Sequence, residues 1–183
     1  MIKTANPESD AYCVLGQIVE AVNMLAKAGK AYRLLPEIRS NLVMAKEGAK
    51  TTGDIAGIPG RLTEVFGRIT AAAYPAWGAS RYTAKILLAI LQLDPSRRAA
   101  MEIKYSEELV DLIKREGIDI ERLDVESGKS LSDLLKGCLK NGKLPSALYT
   151  EGGFAREGAI IITGQNAVDV AKTVIRISEL LPD

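Results

Sequence analysis

The chain has 183 residues, enough to bury a sizeable core in one domain, and its 24 Lys+Arg against 23 Asp+Glu leave a formal charge of +1. That balance provides no long-range field for nucleic acid or an anionic membrane, so any charge effect must be local. The absence of histidine removes Ser-His and Cys-His nucleophile pairs, His-ligated metals and the commonest acid/base near neutral pH.

The first residues lack the apolar run of a signal peptide and no window reaches the length of a membrane span. The expectation is one domain over residues 1–183, in the cytoplasm, with no membrane partner. Residues 9–28 carry Tyr12, Leu15, Ile18, Val19, Val22, Leu25 and Ala26 at helical spacing, with Ser9 or Asp10 as cap and Gly29 as stop. Residues 41–45 form a compact apolar run that reads as a strand. A polar loop follows, with a helical turn placed at 54–56, and leads to Gly57-Ile-Pro-Gly60. Residues 61–69 have β-forming character, and Tyr74-Pro-Ala-Trp-Gly-Ala79 breaks regular structure.

The clearest helix comes next: Ser80 as cap, residues 82–93 apolar nearly all round and therefore buried, and Asp94-Pro95 as terminator. A strand over 99–105, a helix over 106–116 closed by Gly117, and a strand over 118–124 give a β-α-β alternation. A helix over 130–140, strands over 147–149 and 159–163 and a helix over 167–181 complete the chain. Strands interleaved with helices argue a sheet covered on both faces. Cys13 and Cys138 lack the paired spacing of a zinc or redox motif and read as small core residues.

The segment Gly78-Ala79-Ser80-Arg81 opens a buried helix, a geometry in which backbone N–H groups and the helix dipole bind phosphate. Arg81 adds a charged fork, and Arg61, following the turn that ends at Gly60, adds another; ordinary capping beside surface arginines is an equally open reading. Asp54 reads as a cap in the polar loop, with a role in positioning Arg61 or a metal-bound phosphate as the alternative. Glu102 falls in an apolar strand, where an acid is costly unless paired or solvent-facing, so it is surface alternation or a site residue. Tyr74 and Trp77 could stack a heteroaromatic ligand, although core packing suits the tryptophan better. The glycine-rich stretch 151–158, with Arg156 and Glu157, reads as a hairpin; it lacks the ending of a P-loop, and no GxGxxG opens a helix.

Asn41-Leu-Val-Met-Ala45, Gly48-Ala49, Asp54-Ile-Ala-Gly-Ile-Pro-Gly-Arg-Leu62, Gly78-Ala-Ser-Arg-Tyr82 and Arg97-Arg-Ala-Ala-Met101 resemble, in order and spacing, the ThiN domain. That family's thiamine-phosphate synthase is often fused behind a hydroxymethylpyrimidine kinase in archaea. The resemblance implies a three-layer α/β/α fold with a mixed sheet, similar to the AraD or class II aldolase-like fold, and assembly as a homodimer. It implies that hydroxymethylpyrimidine diphosphate and thiazole phosphate condense to thiamine phosphate and pyrophosphate, with no cofactor beyond a magnesium ion that could accompany pyrophosphate. Arg61 matches the family's functional arginine, and Tyr82 stands where the family usually has a histidine, making these the catalytic candidates. Asn41, Asp54, Gly60, Gly78, Ala79, Ser80, Arg81, Glu102 and Arg156 are the candidate substrate-binding residues. The family favours Asn at Glu102 and Gly-Lys-Glu-Pro where this chain has Ala155-Arg-Glu-Gly158. An active synthase and a non-catalytic sensor of thiamine phosphate or a related phosphorylated ligand are both compatible with these residues; a scaffold role leaves the Gly-Arg and Gly-Ala-Ser segments unexplained.

Overall fold

The structure is a computed structural model that describes residues 7–125, 128–152 and 157–182. Helix α1 (Pro7–Lys27) opens with a proline in its first turn, where the missing N–H costs nothing. Val14, Ile18, Ala21 and Leu25 form its fully buried stripe, each large side chain contributing about 1.5–3 kcal/mol of transfer free energy. Tyr12 and Cys13, expected in the core, lie outside that stripe and are exposed. Asp10 is not a cap: its carboxylate accepts the Glu47 N–H and pairs with Arg98 at 2.7 Å.

The strands are β1 (Leu42–Ala45), β2 (Ile55–Gly57), β3 (Leu62–Val65), β4 (Arg68–Ala71), β5 (Ala76–Trp77), β6 (Ala99–Lys104), β7 (Ile120–Arg122), β8 (Ala147–Thr150) and β9 (Ala159–Gly164). Seven of them build one sheet in the order β5-β2-β1-β6-β9-β8-β7, with β3 and β4 forming a separate hairpin. Every neighbouring pair in the large sheet is antiparallel except β7 and β8. The remaining helices are α2 (Tyr82–Leu93), α3 (Glu107–Arg115), α4 (Leu131–Gly137) and α5 (Ala167–Glu179).

Strand alternation sorts the core into two layers. Leu42, Met44, Met101, Ile103, Ile160 and Ile162 face α1, α3, α5 and the β3–β4 hairpin. Val43, Ala45, Ala100, Leu148 and Ile161 face α2 and α4. The result is a three-layer α/β/α arrangement with a mixed sheet, the architecture expected.

Several local expectations change for identifiable reasons. Residues 61–69 are not one strand: Phe66 and Gly67 both have positive φ (50° and 73°), the two-residue turn that suits a twisted hairpin. The helical turn expected at 54–56 lies earlier, at Thr52–Asp54, where Thr51 and Asp54 form a capping box; Ile55 then starts β2. The broken segment near Trp77 contributes the short edge strand β5. Helix α2 begins one residue later than Ser80 would require, so the cap position falls on Arg81, whose side chain has no acceptor to offer. The 151–158 stretch joins antiparallel β8 and β9, whose register pairs Thr150 with Ala159.

Candidate functional site

A cleft of about 880 Å³ opens where four pieces of chain converge. These are residues 38–41 leading into β1, the turn at 60–61 after β2, residues 79–83 at the start of α2, and Glu102 of β6; Thr150, residues 157–159 and Ile161 close the far side.

The turn carrying Arg61 follows from its sequence. The Arg61 N–H donates to the Ile58 carbonyl at 3.1 Å, with Pro59 and Gly60 (φ 77°) at the central positions. Proline presets the first and only glycine is relaxed at the second. Asn41 pins this turn from beneath: its Nδ2 donates to the Ile58 carbonyl at 2.9 Å and its Oδ1 accepts the Ile58 N–H at 2.8 Å. The close approach needs Gly57, where a Cβ would stand 3.0 Å from Val43 and 3.1 Å from Asn41 Oδ1. Asn41 is therefore a buried fastener of the turn, with its carboxamide oxygen and one amide proton already engaged.

Arg61 itself has φ 70°, and so does Arg39. A non-glycine residue there costs on the order of 1–3 kcal/mol, a cost that persists where the surrounding structure over-determines the backbone. The two arginines sit on paired segments: Ser40 and Leu62 exchange backbone hydrogen bonds of 3.3 and 2.8 Å, and the Arg61 guanidinium donates to the Ile38 carbonyl. Glu157 accepts the Glu37 and Ile38 N–H groups at 3.1 and 3.4 Å, tying the β8–β9 connection to the same wall.

Opposite them α2 starts without a side-chain cap, so the positive end of its dipole faces the lining formed by Ala79, Ser80, Arg81, Tyr82 and Thr83. Among the described residues none of Arg39, Arg61 and Arg81 is in an ion pair, and all three line the cleft. Ser80 is buried, whereas Tyr82 is 62% exposed at the rim. Glu102 lies below, 8% exposed, with Oε2 3.5 Å from the Thr83 hydroxyl. Burial pushes its carboxyl above the ordinary glutamate value, opposed by the Thr83 hydrogen bond and the Arg61 charge.

The structure thus brings together Asn41, Gly60, Arg61, Ala79, Ser80, Arg81, Tyr82 and Glu102 at one cleft. Gly78 does not line it; its N–H donates to the Ile55 carbonyl at 2.9 Å. Arg156 lies outside the described residues. Tyr74 and Trp77 line other depressions, and Trp77 packs on the core. Arg39 and Thr83 were not singled out from the sequence, and Glu157 was named only as part of the 151–158 stretch; the fold brings them to the cleft, Arg39 through the Ser40–Leu62 bridge.

Asp54 also stands apart from the cleft. It pairs with Lys46 at 2.7 Å and accepts the Lys50 and Thr51 N–H groups at 3.0 and 2.9 Å. The Lys46 hydrogen bond foremost, then those from Lys50 and Thr51, hold its carboxyl far below the usual range. A depressed folded-state pKa means stability present above the unfolded value and lost as pH falls through and below 3.8. Asp54→Asn should therefore flatten the acid limb of a melting-temperature profile and leave ligand binding in the cleft unchanged.

The family model described as thiamine-phosphate synthase ThiN matches residues 17–176. A thiamine-phosphate synthase ThiN of Methanothermobacter thermautotrophicus is 32% identical over 167 residues, covering 86% of this chain and 88% of that protein. A bifunctional thiamine biosynthesis protein ThiDN of Methanocaldococcus jannaschii is 30% identical over 167 residues, covering 88% of this chain and 39% of its own length. In three dimensions the chain is similar to the crystal structure of the C-terminal domain of a Methanocaldococcus jannaschii protein. That likeness has a TM-score of 0.83 and 28% identity, and covers 95% of this chain and 96% of the other.

Proposed function

The chain belongs to the thiamine-phosphate synthase ThiN family, and we propose that its cleft binds hydroxymethylpyrimidine diphosphate and thiazole phosphate and joins them to thiamine phosphate. The observation that carries this reading is the convergence of Arg39, Arg61 and Arg81 with the uncapped start of α2 around one cavity. The reaction forms a bond from the thiazole nitrogen to the exocyclic methylene as the methylene–oxygen bond breaks, and pyrophosphate leaves with the electron pair. Its demand is stabilisation of charge developing on the leaving group, which fixed guanidinium forks and helix-start amides supply without reorganisation. Arg61 serves as the principal clamp, and Tyr82 at the rim as a phenol donor to the departing oxygens.

No group of three metal-ligating side chains occurs among the described residues. A magnesium ion entering with pyrophosphate would be held mainly by phosphate oxygens and water, with Glu157 as a carboxylate lining the cleft.

Release of pyrophosphate from the two substrates with magnesium, at a rate proportional to protein concentration, is the test; no turnover alongside measurable thiamine-phosphate binding would overturn catalysis. The second reading, a sensor that binds thiamine phosphate without making it, is favoured by one residue. A tyrosine with an unperturbed pKa of about 10 cannot exchange protons near neutrality as an imidazole does. Tyr82→His should raise the pyrophosphate-release rate about 10-fold or more if proton transfer at this position limits turnover, general acid–base groups contributing about 100- to 10,000-fold in full. An unchanged rate would show that the tyrosine suffices.

A further inference from the structure

The walls of the cleft suit an anion, but its floor does not. Glu102 sits on β6, at the middle of the seven-stranded sheet, on the face turned toward α2. Its register partner is Ile161, and Ala100 is its neighbour on that face. Its Oε2 meets the Thr83 hydroxyl at 3.5 Å, whereas Oε1 is buried without a hydrogen-bond partner among the described residues. A buried oxygen left without a donor destabilises the fold, and an apolar side chain among Ala100 and Ile161 would not. Such a group is retained at a cost that a ligand can relieve.

We propose that Glu102 reads the ligand's heterocycle, its carboxyl pairing with the amidine edge of an aminopyrimidine, Oε1 accepting from the amino group and Oε2, beside the Thr83 hydroxyl, sharing a proton with the adjacent ring nitrogen, while the arginines hold the phosphate end. The inference rests on the reading of the cleft given above and specifies which part of the substrate the floor recognises. The chemistry is complementary: an amidine edge offers one donor and one acceptor, and a carboxyl that shares one proton with it offers the matching pair. Burial favours the protonated carboxyl, and the Thr83 hydrogen bond and the charge of Arg61 oppose it; the other charged or titratable groups lining the cleft are Arg39, Arg81, Glu157 and the Tyr82 phenol. The shared proton makes pyrimidine binding weaken as pH rises.

Calorimetry with two probes tests this, inorganic pyrophosphate for the walls and unphosphorylated hydroxymethylpyrimidine for the floor. Glu102→Leu should weaken the pyrimidine about 10- to 100-fold, the effect of losing a charge-assisted hydrogen bond, and leave pyrophosphate affinity within about 2-fold. Glu102→Gln carries an acceptor and a donor without a titrating proton, so it should retain pyrimidine binding and abolish its pH dependence. Glu102→Leu should also melt at a higher temperature, which verifies its fold; if it does not fold, the Gln pH profile decides. Equal pyrimidine affinity in the Leu variant, no pyrimidine binding by the unsubstituted chain, or an unchanged pH profile in the Gln variant would overturn the assignment. Loss of pyrophosphate binding in the Leu variant would also overturn it, making Glu102 a support for Arg61. Failure of the unsubstituted chain to bind pyrophosphate would instead sink the anion reading of the walls, and the pyrimidine probe would still decide Glu102.

Discussion

Arg61→Gly should lower kcat/KM for pyrophosphate release by about 100- to 1000-fold, the effect of deleting one fixed donor to a charged transition state. It should do so without loosening the fold. Arg61 has φ 70°, a conformation strained for arginine and relaxed for glycine, so the substitution relieves backbone strain as it removes the guanidinium. Against that gain stands the loss of one exposed hydrogen bond to the Ile38 carbonyl, about 0.5–1.5 kcal/mol. The two nearly cancel, so the urea midpoint should move little in either direction while activity collapses. Alanine would confound the measurement, because it keeps the strain and loses the hydrogen bond. A glycine variant that retained full activity would remove Arg61 from the chemistry. One that lost activity together with several kcal/mol of stability would show that the residue is architectural.

That a strained residue lies in the cleft is something the amino-acid string announces only halfway. Pro59-Gly60 signals a turn of the type observed, and the helical periodicities of α1, α3 and α5 and the apolar runs of β1 and β9 are visible because local sterics and burial leave one pattern each. Positive φ at Arg39, Arg61 and Phe66 carries no such signal. Those conformations are imposed by partners distant in the chain: the Ser40–Leu62 bridge for the two arginines, the β3–β4 pairing for Phe66. Sheet order is equally hidden. Strands β6 and β7 flank α3 in sequence, yet β9 and β8 lie between them in the sheet. Glu102 shows the same dependence. Alternation along β6 assigns it a face, but whether that face meets water or a cleft floor is decided by Ile161, Thr83 and Arg61, which arrive from other elements. The start of α2 near residues 78–81 is legible from the sequence, whereas the absence of a side-chain cap there is a matter of one residue of register.

Asn41→Ala should destabilise the protein by about 2–4 kcal/mol in urea unfolding: about 1–3 kcal/mol for the Ile58 N–H left without its acceptor, and about 0.5–1.5 kcal/mol for the second hydrogen bond lost by the Ile58 carbonyl, which keeps the Arg61 N–H. Ile58 is 1% exposed, so water cannot replace either bond without opening the core. The consequence for function follows from geometry. The same Ile58 carbonyl accepts the Arg61 N–H, and loosening it frees the turn that aims the guanidinium. Activity should therefore fall by about 10- to 100-fold, in kcat more than in KM, as expected when a misplacement of about 1 Å spoils transition-state alignment. Ile113→Ala separates this from general destabilisation. It removes a fully buried side chain of α3, in the layer opposite α2, for a comparable loss of about 2–5 kcal/mol; Ile113 shares the core layer with Ile58 but neither lines the cleft nor hydrogen-bonds the turn. Under conditions where both variants are folded, it should retain full activity. Equal activity losses in the two would mean that Asn41 acts through stability alone, and the turn would lose its claim to position Arg61.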